Sequence, residues 1–133
     1  MIKRIGILLA LVFAATAFSI TPAHATGGAG VSGPDAGTVW FESYGEHFYV
    51  NDWDPDGYGV RGYLDVKVCE VVDDIAKCHY EREKTLDNKK GYYADAAHSN
   101  RSIRENRPIR YKACLINKSG DTFRCGSWNY DRA

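Results

Sequence analysis

The segment Asp52-Trp53-Asp54-Pro55-Asp56-Gly57 places three carboxylates at alternate positions and a glycine after the last of them. Alternate carboxylates converging on a hard cation are how a calcium loop opens, and the glycine permits the sharp turn such a loop needs. The pattern then lapses. The ninth position is Val60 instead of a polar ligand, and the twelfth, where a bidentate Glu belongs, is Tyr63. The same residues also build a polar β-turn, in which Asp side chains bond nearby backbone N–H groups and Gly supplies a positive φ. The turn is the favoured reading. Asp52, Asp54 and Asp56 remain a weak calcium candidate, and no other metal and no cofactor is expected.

A second group is Arg101, Arg104 and Arg107, spaced by three in a Ser- and Asn-rich run that ends at Pro108. On a helix that spacing makes one basic ridge, but Pro108 breaks a helix through the last arginines, so a loop leading into a strand is expected. Guanidinium forks there would hold carboxylates or phosphates of a partner, or pair with the chain's own acidic residues. For catalysis the candidates are thin. His47, His79 and His98 are scattered among strand-like segments, and a ribonuclease-like set of His, Glu and Arg is an alternative that no spacing selects. No G-x-S-x-G, H-E-x-x-H or P-loop pattern is present. No catalytic residue is assigned.

The segments that must position these groups follow from both ends of the chain. Lys3 and Arg4, an apolar stretch from Ile5 to Phe18 and the small-x-small Ala23-His24-Ala25 read as an export signal, residues 1–25, cleaved before Thr26. The apolar stretch is shorter than the roughly 20 residues of a membrane span, so no span is expected after cleavage. Removing 25 residues from 133 leaves 108, enough for one domain. The run TGGAGVSGPDAGT, residues 26–38, offers almost nothing to bury and is expected to be a flexible Gly-rich leader.

From residue 39 to 133 the sequence turns to short runs rich in aromatic and β-branched residues, separated by turn signals. Seven strands are expected: 39–44, 46–53, 59–72, 76–84, 91–97, 108–117 and 121–130. The fold class is all-β, an antiparallel β-sandwich (Ig-like) or small barrel. Only 94–102 has any helical flavour. Four cysteines in an oxidising compartment imply two bridges, and spacing favours Cys69 with Cys78 and Cys114 with Cys125, each clasping a hairpin. In strand parity Cys69 shares a face with Asp65 and Lys67, and Cys114 with Arg110 and Lys112, so the bridges are expected on outward faces.

The balance of 17 basic and 17 acidic residues conceals a division. From Thr26 to Ile75 there are ten acidic and two basic residues; from Ala76 to Ala133 there are seven acidic and thirteen basic. Either the folded surface is dipolar, or the halves interleave as neighbouring strands and their charges meet. The secreted chain is slightly acidic, with 15 basic against 17 acidic residues, and no nucleic-acid partner is expected.

The Ala-rich signal, the run from Gly45 to Asp52 leading to Asp56-Gly57, and the tail Tyr111-Lys112-Ala113-Cys114 followed by Cys125-Gly126-Ser127-Trp128 resemble the small secreted two-disulfide proteins of actinobacteria. That resemblance implies an extracellular β-sandwich and no activity. Secreted two-disulfide protease inhibitors are similar in length, but no reactive-loop sequence beside a cysteine matches theirs. The expected function is therefore a secreted, non-enzymatic binding module engaging an extracellular protein partner, with a sugar second. A small enzyme or toxin and a protease inhibitor are the alternatives. The aromatic residues exceed what one small core requires, and Trp53 and Tyr58 join Arg101, Arg104 and Arg107 as candidate contact residues.

Overall fold

The computed structural model describes residues 26–33 and 36–133; the expected export signal, residues 1–25, lies outside them. Nine strands form: β1 (Thr26–Gly30), β2 (Gly37–Glu42), β3 (His47–Asp52), β4 (Gly59–Val72), β5 (Ile75–Asn88), β6 (Ala97–Asn100), β7 (Pro108–Ile116), β8 (Thr122–Phe123) and β9 (Asn129–Arg132). One sheet has the order β1-β2-β3-β6, the other β5-β4-β7 with both β8 and β9 on β7, and every pairing is antiparallel. The two sheets pack face to face as a β-sandwich. Among the described residues there is no helix, and none long and apolar enough to cross a membrane.

Alternation sets the interior. Val39 and Phe41 on β2, Phe48 and Val50 on β3, Val60 and Leu64 on β4, and Ile109 and Tyr111 on β7 are fully buried between the sheets. Their alternate neighbours face out, as a period of two requires. Gly62 sits where the sheets approach closely: a Cβ there would stand 2.5 Å from Val50 Cγ2 and 2.8 Å from Val39 Cγ1. A side chain at this position would force the layers apart.

The described residues of the expected flexible leader 26–38, namely 26–33 and 36–38, are instead built into the sandwich. Thr26–Gly30 pairs with β2 along its whole length, and Ala29, Val31 and Ala36 are buried in the core. The turn is tied across the sandwich by Ser32 N–H to the Arg124 carbonyl at 2.9 Å and by Arg124 Nε–H to the Ser32 carbonyl at 2.8 Å. Ala29 within the strand and Val31 and Ala36 just after it suffice to dock β1, in which Gly28 and Gly30 face out. Elsewhere, the expected strand at 91–97 is a loop up to residue 96, the segment with helical flavour contributes β6 from Ala97, and the expected strand 121–130 is replaced by the two short strands β8 and β9.

Both bridges are those expected, Cys69–Cys78 and Cys114–Cys125. Cys69 and Cys78 face solvent. Cys114 is fully buried yet stands apart from the inter-sheet cluster, because the chain beyond β7 folds back over that outward position.

Candidate functional site

At one end of the sandwich β3 stops at Asp52, β4 starts at Gly59, β5 stops at Asn88 and β7 stops at Ile116. The three connections leaving these ends surround a cleft of about 400 Å³. Asn88 holds one wall in place. It is buried, its Nδ2 donates to the carbonyls of Val50 at 3.2 Å and Asp95 at 3.4 Å, and its Oδ1 accepts from Lys90 N–H at 3.2 Å. The 89–96 loop is thereby pinned to β3 of the neighbouring sheet. Behind it lies a second hollow of about 340 Å³, and Lys90 and Tyr93 line both.

Asp52 and Asp54 line the cleft on its acidic side. Asp52 is 2% exposed; its Oδ1 accepts from Asp54 N–H at 3.2 Å, and its Oδ2 is buried with no hydrogen-bond partner among the described residues. Burial raises the Asp52 carboxyl above the ordinary aspartate range; the Asp54 N–H opposes that, and the charges of Asp56 and Asp54 add to it. Asp56 spends one carboxylate oxygen on Tyr58 N–H at 2.8 Å, a local turn bond. The three alternate carboxylates thus do not converge, and among the described residues no group of three or more metal-ligating side chains is placed to hold an ion.

The rest of the lining is aromatic and basic. Tyr58 packs edge-on against Phe123 with ring centroids 4.9 Å apart, and Tyr92 and Tyr93 stand nearly perpendicular, 4.6 Å apart at 72°. Lys89, Lys90 and Lys118 complete the rim. Lys89 Nζ lies 3.7 Å from Asp87, whose carboxyl is held below its ordinary value chiefly by hydrogen bonds from Arg61. Lys90 and Lys118 have no carboxylate partner among the described residues.

Other expected contact residues lie elsewhere. Trp53 points toward β2, where its indole N–H donates to Thr38 Oγ1 at 2.7 Å. Arg101 is paired to Glu83 at 2.7 Å and Arg107 donates to the Lys67 carbonyl at 3.0 Å, so only Arg104 is fully exposed. No basic ridge forms. The loop is tethered by its own arginines. The histidines divide likewise: His47 Nδ1 and His98 Nε2 are 2.7 Å apart on the outer face of the four-stranded sheet, His79 pairs with Glu81 on exposed β5, and none lines the cleft.

A cation–aromatic face, and the projection of the disulfide-clasped β4–β5 hairpin beyond its sheet, had no forecast in the sequence. On the outer face of the larger sheet, Arg82 lies 4.2 Å over Tyr63, Arg110 4.4 Å over Tyr80 and 4.2 Å over Trp128, and Lys112 4.6 Å over Trp128. Buried Asp65 takes both Arg82 and Arg110, the latter at 3.0 Å. Asp65 thus binds two of these cations, and among the described residues Lys112 is held by aromatic faces alone, so the group keeps a net positive charge. At the end opposite the cleft, pairing of β4 with β7 stops at Val66, and the β4–β5 hairpin runs on as a free two-stranded arm. Cys69 and Cys78 clamp it as cross-strand partners. Asp73 and Asp74 turn it with φ of 51° and 60°, the two positive values that a tight hairpin turn matched to strand twist requires. Near its tip Val71 is 75% exposed, Ile75 62% and Val72 39%.

No family model, no curated protein and no solved structure matches the chain.

Proposed function

We propose that this chain is a secreted, non-enzymatic binding module that engages a protein partner, with the β4–β5 arm as its contact element. The observation that carries this reading is the exposure of Val71, Val72 and Ile75 on a projecting hairpin that a disulfide holds rigid. Aliphatic side chains gathered beyond the body of a domain favour burial against something else. A bridge across the arm, away from the core, keeps it ordered before contact and so lowers the entropy lost on binding. The arm also offers unpaired strand edges: β5 is an edge strand, and β4 has no second neighbour beyond Val66 among the described residues. Such edges accept an added strand from a partner. Glu70, Asp73 and Asp74 against Lys77 make the tip acidic, which suits a partner whose apolar groove has a basic rim. Two disulfides accord with an oxidising, extracellular setting.

The ribonuclease-like alternative draws little support from His79 and Glu81, which form an exposed pair at 2.8 Å along β5 with no arginine bonded to either. The test of the binding reading uses the secreted chain with a photo-crosslinker at Val72, exposed to the native culture medium and cell envelope. The expected result is one defined crosslinked protein, lost in Val71→Asp/Ile75→Asp while melting is unchanged. Equal crosslinking by the double variant would place the contact elsewhere.

A further inference from the structure

We propose that the cleft beside Asp52 binds a carboxylated sugar, an anionic pyranose unit of a polysaccharide, independently of the β4–β5 arm. Asp52 Oδ2 is a buried acceptor with no donor, and a fold leaves few such atoms unsatisfied without a reason. Asp54 adds a second carboxylate beside it. Asp54, only partly buried, is open to a ligand hydroxyl, and the unsatisfied Asp52 oxygen buried in the lining adds to the demand for neighbouring donors, which a sugar ring supplies in pairs.

Charge then narrows the class. Lys89, Lys90 and Lys118 face the same space, and three ammonium groups against two carboxylates disfavour a metal ion or an organic cation. They favour an anion. No arginine lines the cleft, so the planar fork that suits phosphate is missing, and Asp52 and Asp54 oppose a doubly charged phosphate more than a singly charged carboxylate. Lys90 and Lys118, which lack partners of their own, are the groups placed to take that carboxylate.

The walls account for the ring. Tyr58 and Tyr92 are 44% and 41% exposed and Tyr93 is 93% exposed, and the nearly perpendicular Tyr92 and Tyr93 present two differently oriented aromatic faces. Such faces suit the C–H-rich side of a pyranose, and their hydroxyls remain free for its rim. A cleft of about 400 Å³ falls within the range of small-molecule sites. An acidic peptide would offer the carboxylate without the hydroxyl pairs, and a neutral glycan the hydroxyls without the carboxylate.

The experiment titrates the secreted chain with trigalacturonate, using maltotriose as the neutral ring control and triglutamate as the carboxylate control, followed by amide chemical shifts. Trigalacturonate is expected to shift the amides of Tyr58, Lys90, Tyr92, Tyr93 and Lys118 at millimolar concentration, and the controls are not. Lys90→Ala/Lys118→Ala and Tyr93→Ala should each weaken binding about tenfold or more, the first through loss of both ammonium partners of the carboxylate and the second through loss of one stacking face. Val71→Asp/Ile75→Asp should leave it unchanged. Equal response to maltotriose, equal response to triglutamate, or no shift at these amides would each overturn the proposal. Asp52→Asn separates a binding role from a structural one: affinity should fall while the melting temperature rises, whereas a merely structural carboxylate would lose stability.

Discussion

Asp52 and Asp65 are both carboxylates 2% exposed, yet the fold treats them in opposite ways. Asp65 sits between Arg82 and Arg110, and Asp65→Asn should cost about 2 kcal/mol by denaturant unfolding, the usual worth of hydrogen bonds to a charged group. Asp52 has one oxygen with no partner, so Asp52→Asn should stabilise the chain by about 1 kcal/mol at neutral pH through relief of a buried charge. The pH dependence follows from linkage. The folded Asp52 pKa lies above the ordinary 3.8, so the folded chain binds the proton more tightly than the unfolded one. Its penalty is therefore absent below the unfolded value and grows as pH rises through the folded value. The advantage of Asp52→Asn should be full at neutral pH and vanish below about pH 3.8, read as the difference in melting temperature between variant and parent. Asp87 runs the other way: with Arg61 lowering its pKa, its stabilisation is present above the ordinary value and is lost as pH falls through the folded one. An Asp52→Asn difference that stays constant from neutral to acid pH would contradict the account of its burial.

The two disulfides join hairpins of similar span, with sequence separations of 9 and 11, but they act on different elements. Cys69 and Cys78 are exposed on the free arm, whereas Cys114 is buried on β7. Removing the first bridge as Cys69→Ser/Cys78→Ser should speed amide exchange at the arm tip at least tenfold and leave core amides nearly as protected, because the arm opens as a local unit. Removing the second as Cys114→Ala/Cys125→Ala should lower global stability by about 3 kcal/mol, the chain-entropy value for a loop of this length. Exchange that rises everywhere in the first variant would show the arm to be part of the core. What the sequence reveals divides along the same lines. Alternating Val39, Phe41, Phe48 and Val50 announce their strands, and cysteine spacing announces the bridges, because both signals are local. β1 was hidden because its pairing is made by backbone and its burial by only a few small residues. The 91–97 segment misled because Tyr92 and Tyr93 look like a strand, although their side chains stand at a rim. Of the cleft, only Asp52, Asp54 and Tyr58 were legible, since Lys89, Lys90 and Lys118 come from segments that only the closed sheets bring together. Arg101, Arg104 and Arg107 were visible as a pattern, but spacing alone gave no sign that Glu83 and the Lys67 carbonyl would take two of them.

Across the whole molecule, the acidic first half and basic second half meet strand against strand. Asp65 on β4 takes Arg82 from β5 and Arg110 from β7, while Arg61 on β4 takes Asp87 from β5 with the polarity reversed. Sequence polarity thus becomes pairing within one sheet, and the functional polarity runs along the strands instead. β4 begins at the cleft with Gly59 and ends at the arm with Val72, and its 14 residues at about 3.3 Å each place the two ends roughly 45 Å apart. Sites so distant, sharing no side chain and joined by a rigid sheet, should be energetically independent, because coupling fades beyond about 10 Å when no partner is shared. A bridging assay reads this directly: immobilised polygalacturonate loaded with the chain, then probed with the protein partner identified by crosslinking at Val72. The parent should bridge the two. Val71→Asp/Ile75→Asp should still load the polymer but fail to recruit the partner, and Lys90→Ala/Lys118→Ala should bind the partner in solution but fail to load. The variant combining all four changes should lose each affinity by the same factor as the corresponding double variant. If the lysine pair weakens partner capture in solution, or the arm pair weakens polymer loading, then both ligands share one surface and the division of labour along β4 is wrong.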